Sequence, residues 1–560
     1  MNSTTLIECL RFRAQERPDA LYSRYLFPDR APAEMTFAET ERRARQFASV
    51  YDRLGVSKGD VVLVILPHCG DLMTSFLGAM WLGAIPAFLP SLTPKLDPQR
   101  YYRTLSALLD TTEPRAIVTT SELGDSLAAL TRDEQRNLTL IICDDVSASE
   151  APHLEPPVQD PEDIALIQYS SGTTGMQKGA ALSHRAILAE IEGVGGFFEL
   201  NENDSFVTWV PLYHDWGLVC VALHALQLGV HFTLISPMHW VAKPVVAFEA
   251  ATRYRPTVYY HPNFAFNYMT RRIQRQEMDG LDLSSLRICC NGAEPCFYDS
   301  HKMFADRFAE WGFASQSLSI VYGMAEVTNS VFAAGHREPI QVDVIDRDVL
   351  QREHRAQPVA GDGPDVLRML GVGRPLKGTE FRILDEHKHQ LPERRVGEVE
   401  IRSTAIYHGY YRNLDATKKA DNQGAYLTGD LGYRVGNTLF VTGRKSDLII
   451  VGGVNIYPHD VENVVGEHPS VVTGRVAAIG VRDAGLGTEK LIVIAESRST
   501  DANVRADIAA YVRREVPMRL GVDVAEIYHA PYKWLIKTSS GKIARIPNYQ
   551  RLSELTSRAG

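Results

Sequence analysis

Six consecutive apolar residues, Val61-Val-Leu-Val-Ile-Leu66, constrain the fold of this chain more than any other feature. A run so short and so rich in β-branched residues reads as a strand, and without polar alternation both of its faces must be covered. Leu72, Phe76 and Met80 then recur at helical spacing, and Ile85 to Leu89 gives a second strand. Ala116-Ile-Val118 and Leu140-Ile-Ile142 continue the rhythm. Strands covered on both faces and separated by helices imply βαβ units and largely parallel sheets. A second series follows at 206–210, 232–235, 258–260, 286–290 and 319–321, which predicts another α/β layer of similar build.

From about Glu380 the pattern changes. Gly397-Glu-Val-Glu-Ile-Arg402, Tyr426 to Asp430 and Leu439-Phe-Val441 are short strands between turns, a small β-rich unit. Beyond Arg444 a helix is expected near Pro458, strands at 476–481 and 491–495, and a last helix capped by Asp501 with Val504, Ile508 and Val512 on its apolar face. The expected organisation is a multi-layer α/β N-terminal domain over 1–443, a hinge at 444–446 and a smaller α+β domain over 447–560. Residues 335–372 are polar, rich in Pro and Gly and weakly periodic; a loop of that length is either functional or disordered.

The 560 residues suffice for about three or four compact units of roughly 150 residues. A balance of 59 basic against 68 acidic residues, net −9, argues against a surface built for a nucleic-acid backbone. No stretch approaches the ~20 apolar residues that span a bilayer, and the first residues carry charges where a signal peptide is apolar, so the cytosol is the expected compartment. The seven cysteines are odd in number and lack a C-x-x-C pair, which predicts small buried hydrophobes and not disulfides or zinc.

Gln168-Tyr-Ser-Ser-Gly-Thr-Thr-Gly-Met-Gln-Lys-Gly179 is the stretch richest in chemistry. Its glycines let backbone N–H groups approach an anion, its hydroxyls add donors and Lys178 adds charge, while the spacing excludes a Walker A loop. Asn291-Gly-Ala-Glu-Pro295, Tyr322-Gly-Met-Ala-Glu326, Tyr426-Leu-Thr-Gly-Asp430, Gly443-Arg-Lys-Ser-Asp447 and Thr538-Ser-Ser-Gly-Lys-Ile-Ala-Arg545 repeat the same mixture of glycine, carboxylate, aromatic and cation. These are the parts a nucleotide needs: a wall for the base, an acid for the ribose, a carboxylate for a metal and cations for phosphates.

In this order the motifs resemble the adenylate-forming superfamily over essentially the whole chain. Within it the chain is most similar to the fatty acyl-AMP ligases, through Trp209-Val-Pro-Leu-Tyr-His-Asp-Trp-Gly-Leu218, Pro262-Asn-Phe-Ala-Phe266, Leu281-Asp-Leu-Ser-Ser-Leu-Arg287 and Tyr457-Pro-His-Asp460. The segment 335–372, with Asp346-Arg-Asp-Val-Leu-Gln351, resembles the insertion that marks those ligases. The resemblance implies ATP and Mg²⁺, formation of an acyl-AMP, and transfer of the acyl group to the phosphopantetheine thiol of an acyl carrier protein. It places Ser170, Ser171, Gly172, Thr173, Thr174, Gly175 and Lys178 on the phosphates, and Glu326 with Thr174 on the metal. Gly292, Ala293, Glu294, Tyr322, Gly323 and Met324 would frame the adenine, Asp430 and Arg444 the ribose. Lys542 would bridge the carboxylate and α-phosphate, Ser446 would be the hinge, and His214 would line the acyl pocket.

The chain departs from the family pattern at Ser446, at Gln177 and in the run Val451-Gly-Gly-Val454, which is more like CoA synthetases. CoA therefore stands as the alternative acceptor, and a non-catalytic adenylate-fold binding protein as the alternative class. Trp209, His214, Trp216 and His261 are the expected pocket residues. Their bulk predicts an acid shorter or more polar than a long-chain fatty acid, although strand alternation lets only some of them face a pocket.

Overall fold

The structure is a computed structural model that describes residues 3–92, 98–131, 138–146, 154–169, 178–361, 363, 365–452, 454–483, 488–538 and 541–558. Its largest sheet has nine strands. Leu318–Gly323, Ile288–Asn291, Val258–Tyr260, Phe206–Thr208, Phe232–Ile235 and Leu21–Leu26 lie in that spatial order with parallel pairing throughout. Antiparallel strands finish both edges, Ser330–Gly335 and Arg374–Pro375 on one side and Ala33–Thr36 on the other. Period-two alternation sends neighbouring residues into different cores. Phe206, Val258, Tyr260, Ile288 and Cys290 pack with helices Leu6–Glu16, Phe37–Arg53, Asp71–Trp81 and His184–Phe198. Val207, Tyr259 and Cys289 pack with helices Val246–Tyr254, Asn263–Arg272 and Tyr298–Phe308 on the other face.

The run that opens the argument behaves as its composition requires. Ile85–Phe88, Val61–Val64, Ala116–Thr119 and Thr139–Ile142 form an all-parallel four-stranded sheet. Val62 and Val64 enter the core shared with the large sheet, whereas Val61, Leu63 and Ile65 enter a second core beneath helix Pro98–Thr112.

The β-rich unit is an antiparallel sheet of Thr379–Leu384, Gly397–Ser403, Ala425–Val435, Thr438–Arg444 and Asp421–Asn422. Residues 335–372 are not a bare loop. Val342–Asp346 and Val366–Leu370 pair antiparallel, with helix Arg347–Glu353 between them. Ile345, Leu350 and Ala356 of this segment enter the core of Val396, Tyr433, Phe440 and Tyr457, with Leu367 and Met369 packed against it, while Leu370 and Val372 enter the neighbouring core. Asp343 fixes the ribbon to the sheet by accepting hydrogen bonds from Arg394 and from the Tyr433 hydroxyl, both at 2.9 Å.

The C-terminal block contains a core of its own, built from Val461, Val465, Val476, Leu491, Val493, Ile508, Val512 and Val516. Val471–Asp483 pairs antiparallel with Thr488–Ser497, which pairs in parallel with Val524–Pro531, a strand the sequence reading omits. Asp501 caps helix Ala502–Leu520 by accepting the Asn503 N–H at 2.8 Å.

Gly373 sits where the ribbon, the large sheet and the small sheet meet: it pairs with Leu439, has φ +92, and a Cβ there would overlap the Ala333 carbonyl. Gly373→Ala is expected to lower unfolding free energy by about 2 kcal/mol or more, from the left-handed backbone and the overlap together. A denaturant midpoint shifted with unchanged slope is the check; an unshifted midpoint contradicts the junction.

Candidate active site

The expected anion loop is delivered by a hairpin. Ile164–Tyr169 and Gly179–Ser183 pair antiparallel with Tyr169 opposite Gly179. Ser170, Ser171, Gly172, Thr173, Thr174 and Gly175 lie outside the described residues. Lys178 at the foot of the hairpin is described, with its ammonium 4.9 Å from the centroid of the Tyr410 ring. Tyr410 is held there because its segment runs against the same strand: Ala181 N–H donates to Gly409 O at 3.0 Å, and Tyr411 N–H to Gly179 O at 2.7 Å. The Tyr410 hydroxyl donates to Glu326 Oε1 at 2.6 Å. One tyrosine thus touches both the expected phosphate lysine and the expected metal carboxylate. Burial, then the Glu326 charge, holds that hydroxyl far above its ordinary ionisation range. Sequence reasoning missed Tyr410; the only signal was the Gly409-Tyr410-Tyr411 triplet, which belonged to no motif considered.

Glu326 itself lies on a short turn, Ala325–Val327, just past the end of strand Leu318–Gly323. Gly292 to Glu294 likewise follow a parallel strand of the large sheet, where open α/β sheets place ligands. Asp430 and Arg444 are cross-strand partners in the small sheet. Asp430 accepts from Tyr322 Oη at 2.7 Å and from Arg444 Nε at 3.0 Å. The Asp430 charge is the largest influence on Arg444 and raises its pKa. Gly292, Ala293 and Glu294 follow strand Ile288–Asn291. Ala293 takes φ +64, and Glu294 Oε1 accepts the Phe264 N–H at 2.5 Å. Gly323 leaves no room for a side chain, since a Cβ would overlap the Asn329 carbonyl, and Met324 packs beside Tyr322 against the neighbouring core.

His214 opens the helical turn Asp215–Gly217, where the Trp216 N–H donates to Asp215 Oδ1 at 2.8 Å and His214 Nδ1 lies 2.5 Å from that same oxygen. Burial presses the Asp215 carboxyl upward, but His214 and Lys542 hold it below its usual range. Lys542 therefore reaches this site from the C-terminal block. Its ammonium is lowered by burial and then by Arg444, and supported by Asp215, Glu294 and Asp430. The turn carrying it is closed by Thr538 N–H to Lys542 O at 2.8 Å and Gly541 N–H to Thr538 O at 2.9 Å. Three residues on, Arg545 grips Asp447 and Glu462, each at 2.8 Å. This ties the Lys542 turn to the residue next to the expected hinge, Ser446, whose hydroxyl donates to Asp447 at 3.0 Å.

The four expected pocket residues are not brought together. His214 and Trp216 stand on the site face of the large sheet, where Trp216 stacks on Tyr260 with centroids 5.6 Å apart. Trp209 and His261 lie in the opposite core. Trp209 stacks on Trp240 at 4.0 Å, and His261 is wholly buried among Tyr259, Phe266 and Cys289, its imidazole pushed down to about 3 by burial. Alternation along the strands separates them: Tyr260 faces the site and its neighbours Tyr259 and His261 face away.

Lys178 beside a tyrosine-linked acid, a Tyr–Asp–Arg cluster and a lysine brought from a second block, contributed by separate sheets, are parts that an enzyme joining an acid to a nucleotide would use. The chain belongs to the AMP-binding enzyme family, whose model matches residues 10–411. It is an acid-activating ligase that uses ATP. It is 28% identical to the medium-chain-fatty-acid acyl-carrier-protein ligase JamA of Moorena producens, covering 97% of this chain and 94% of that one. It is 29% identical to the long-chain-fatty-acid AMP ligase of Mycolicibacterium smegmatis, covering 95% and 91%. A solved structure from work on fatty acyl-adenylate ligases of E. coli and L. pneumophila superposes with a TM-score of 0.92 at 26% identity, over 100% of this chain and 99% of that one. No helix among the described residues is long and apolar enough to cross a membrane.

Tyr410→Phe removes the donor to Glu326 and leaves a buried carboxylate oxygen short of a partner. Such a loss costs on the order of 1–3 kcal/mol, so kcat for acid-dependent pyrophosphate release should fall about tenfold in a folded protein. Unchanged kcat contradicts a positioning role for this tyrosine.

Proposed function

We propose that the chain converts a carboxylic acid and ATP to acyl-AMP and pyrophosphate, then passes the acyl group to the phosphopantetheine thiol of an acyl carrier protein. The observation that carries this reading is the convergence of Lys542 with Asp215, Glu294, Asp430 and Arg444 across the boundary between the two blocks. In the first step a carboxylate oxygen bonds to the α-phosphorus as the bond to pyrophosphate breaks. Two anions meet, so alignment and charge neutralisation dominate the barrier. Lys178 and the loop 170–175 hold the β- and γ-phosphates. The Lys542 ammonium bridges the incoming carboxylate and the α-phosphate. Asp430 and Arg444 hold the ribose, while Gly292, Ala293, Glu294, Tyr322, Gly323 and Met324 frame the base, and His214 borders the acyl end.

Mg²⁺ is held by one or two carboxylates together with phosphate oxygens and water. Among the described residues no three His, Cys, Asp or Glu side chains form a cage, and a single acid, Glu326, stands beside the phosphate hairpin, which suits that mode of binding. Glu326 with Thr174 would hold the ion, which when bound neutralises phosphate charge.

Transfer to a thiol requires Lys542 to leave, and rotation about Ser446 would carry it away with the block 447–560. The ribbon in 335–372 stands against that block, where His354 lies 3.2 Å from Asn455 Nδ2. A carrier protein is favoured as acceptor by the likeness to the acyl-carrier-protein ligase of Moorena producens. CoA is the second reading, favoured by Val451-Gly-Gly-Val454.

Lys542→Ala should lower acyl-AMP formation by about 10²–10³-fold, the range for loss of one electrostatic donor, and leave thioester formation from supplied acyl-AMP nearly intact. Single-turnover assays of the two halves decide it; equal loss in both, with the fold retained, contradicts this division.

A further inference from the structure

Beneath the adenylating site three buried side chains each keep one polar atom without a hydrogen-bond partner among the described residues: Glu190 Oε2, Trp216 Nε1 and Tyr260 Oη. Each residue is 2% exposed or less, so no outer solvent serves them. They belong to one cluster. Trp216 stacks on Tyr260, Cys220 and Glu190 lie near enough to the Tyr260 hydroxyl to add to the rise that burial gives its pKa, and Cys220 Sγ donates to Glu190 Oε1 at 3.3 Å. Glu190 Oε1 also accepts the Ser330 N–H at 3.1 Å, which leaves Oε2 as its open position. His224, one turn beyond Cys220 on the same helical stretch, likewise keeps both ring nitrogens unpartnered.

The cluster is continuous with the site. The far edge of the Trp216 indole stands 3.3 Å from where a Cβ on Gly292 would lie, and Trp216 follows Asp215, which feels Lys542. Through Trp216 the cluster adjoins His214, the residue set at the acyl end of the proposed site. A plain alkyl tail laid there would leave every one of these atoms unsatisfied, at roughly 1–3 kcal/mol each. We propose, resting on the adenylating reading above, that the acid activated by this chain carries a hydroxyl along a short to medium chain, received by Glu190, Trp216 and Tyr260.

The donor inventory selects the hydroxyl. Trp216 Nε1 only donates, so the incoming group must accept, which an ammonium cannot do. Tyr260 Oη both donates and accepts. Burial pushes the Glu190 carboxyl up to about 8, so at neutral pH it holds a proton and also donates. A hydroxyl oxygen accepts from Trp216 Nε1 and from the protonated Glu190, and donates its own proton to Tyr260 Oη. The two rings fill the space that a long alkyl chain would need.

The test compares kcat/KM for pyrophosphate release with octanoate and with octanoates hydroxylated at each successive carbon, and measures in parallel the rise in Tm that each acid causes. At least one hydroxylated isomer should exceed octanoate about tenfold or more, because a site built to hydrogen-bond a hydroxyl penalises the analogue lacking it. Tyr260→Phe, which removes a single atom from the core, and Glu190→Leu should each erase most of that preference, and Glu190→Gln should keep part of it. Octanoate matching or beating every isomer would overturn the proposal and assign the cluster to buried water. So would a preference that survives in Tyr260→Phe. If no acid releases pyrophosphate the adenylating reading falls, and the Tm series still decides whether hydroxylated acids bind in preference.

Discussion

Three carboxylates and two cations meet at one site, with Asp430 buried, Asp215, Glu294 and Lys542 half-buried, and Arg444 open to solvent. Asp215, Glu294 and Asp430 come from the N-terminal layers, Arg444 from the last strand of the small sheet, and Lys542 from the far end of the chain. Removing a charge from water costs several kcal/mol unless a partner and hydrogen bonds compensate it. Each member of the group therefore depends on elements distant in sequence. Segments that follow parallel strands deliver Asp215 and Glu294, an antiparallel ladder sets Asp430 opposite Arg444, and the Arg545 grip on Asp447 and Glu462 orients the turn that carries Lys542. The same dependence would make the site separable: moving one block takes the lysine away without disturbing the nucleotide walls.

The large sheet divides labour by alternation. Residues of one parity build the core that meets the site, and residues of the other parity build a core that only supports it. Tyr260 and Tyr259 are adjacent in sequence, yet the first stacks on Trp216 beside Gly292 and the second lies with His261 and Cys289 in the supporting core. Polar groups on the site side, Glu190 above all, are tolerated in an apolar layer because a ligand could complete them.

What the sequence reveals follows from the same physics. Strands such as Val61–Val64 are legible because burial on both faces leaves no polar residue to confuse the period. The paired motif residues Asp430 and Arg444 are legible because their chemistry survives in short words. The ribbon over 335–372 is obscured because its anchoring residues, among them Ile345, Leu350, Ala356 and Leu370, are scattered over two cores and separated by polar residues. Trp209 and His261 read as pocket residues because a bulky side chain at a strand end looks the same from either face, and only the register assigns the face. Tyr410 was hidden for another reason: its value comes from a bridge to Glu326 that is 84 positions away in the chain. Glu190 belongs to no motif read from the sequence, and only packing shows that it is covered.

Reversible formation of an acyl-AMP makes one demand that no binding protein meets. Labelled pyrophosphate must exchange into ATP, and only when a suitable carboxylic acid is present. The account predicts acid-dependent exchange in the intact chain without any carrier protein or CoA. Exchange that is absent with every acid tried, in a protein that binds ATP, would contradict it.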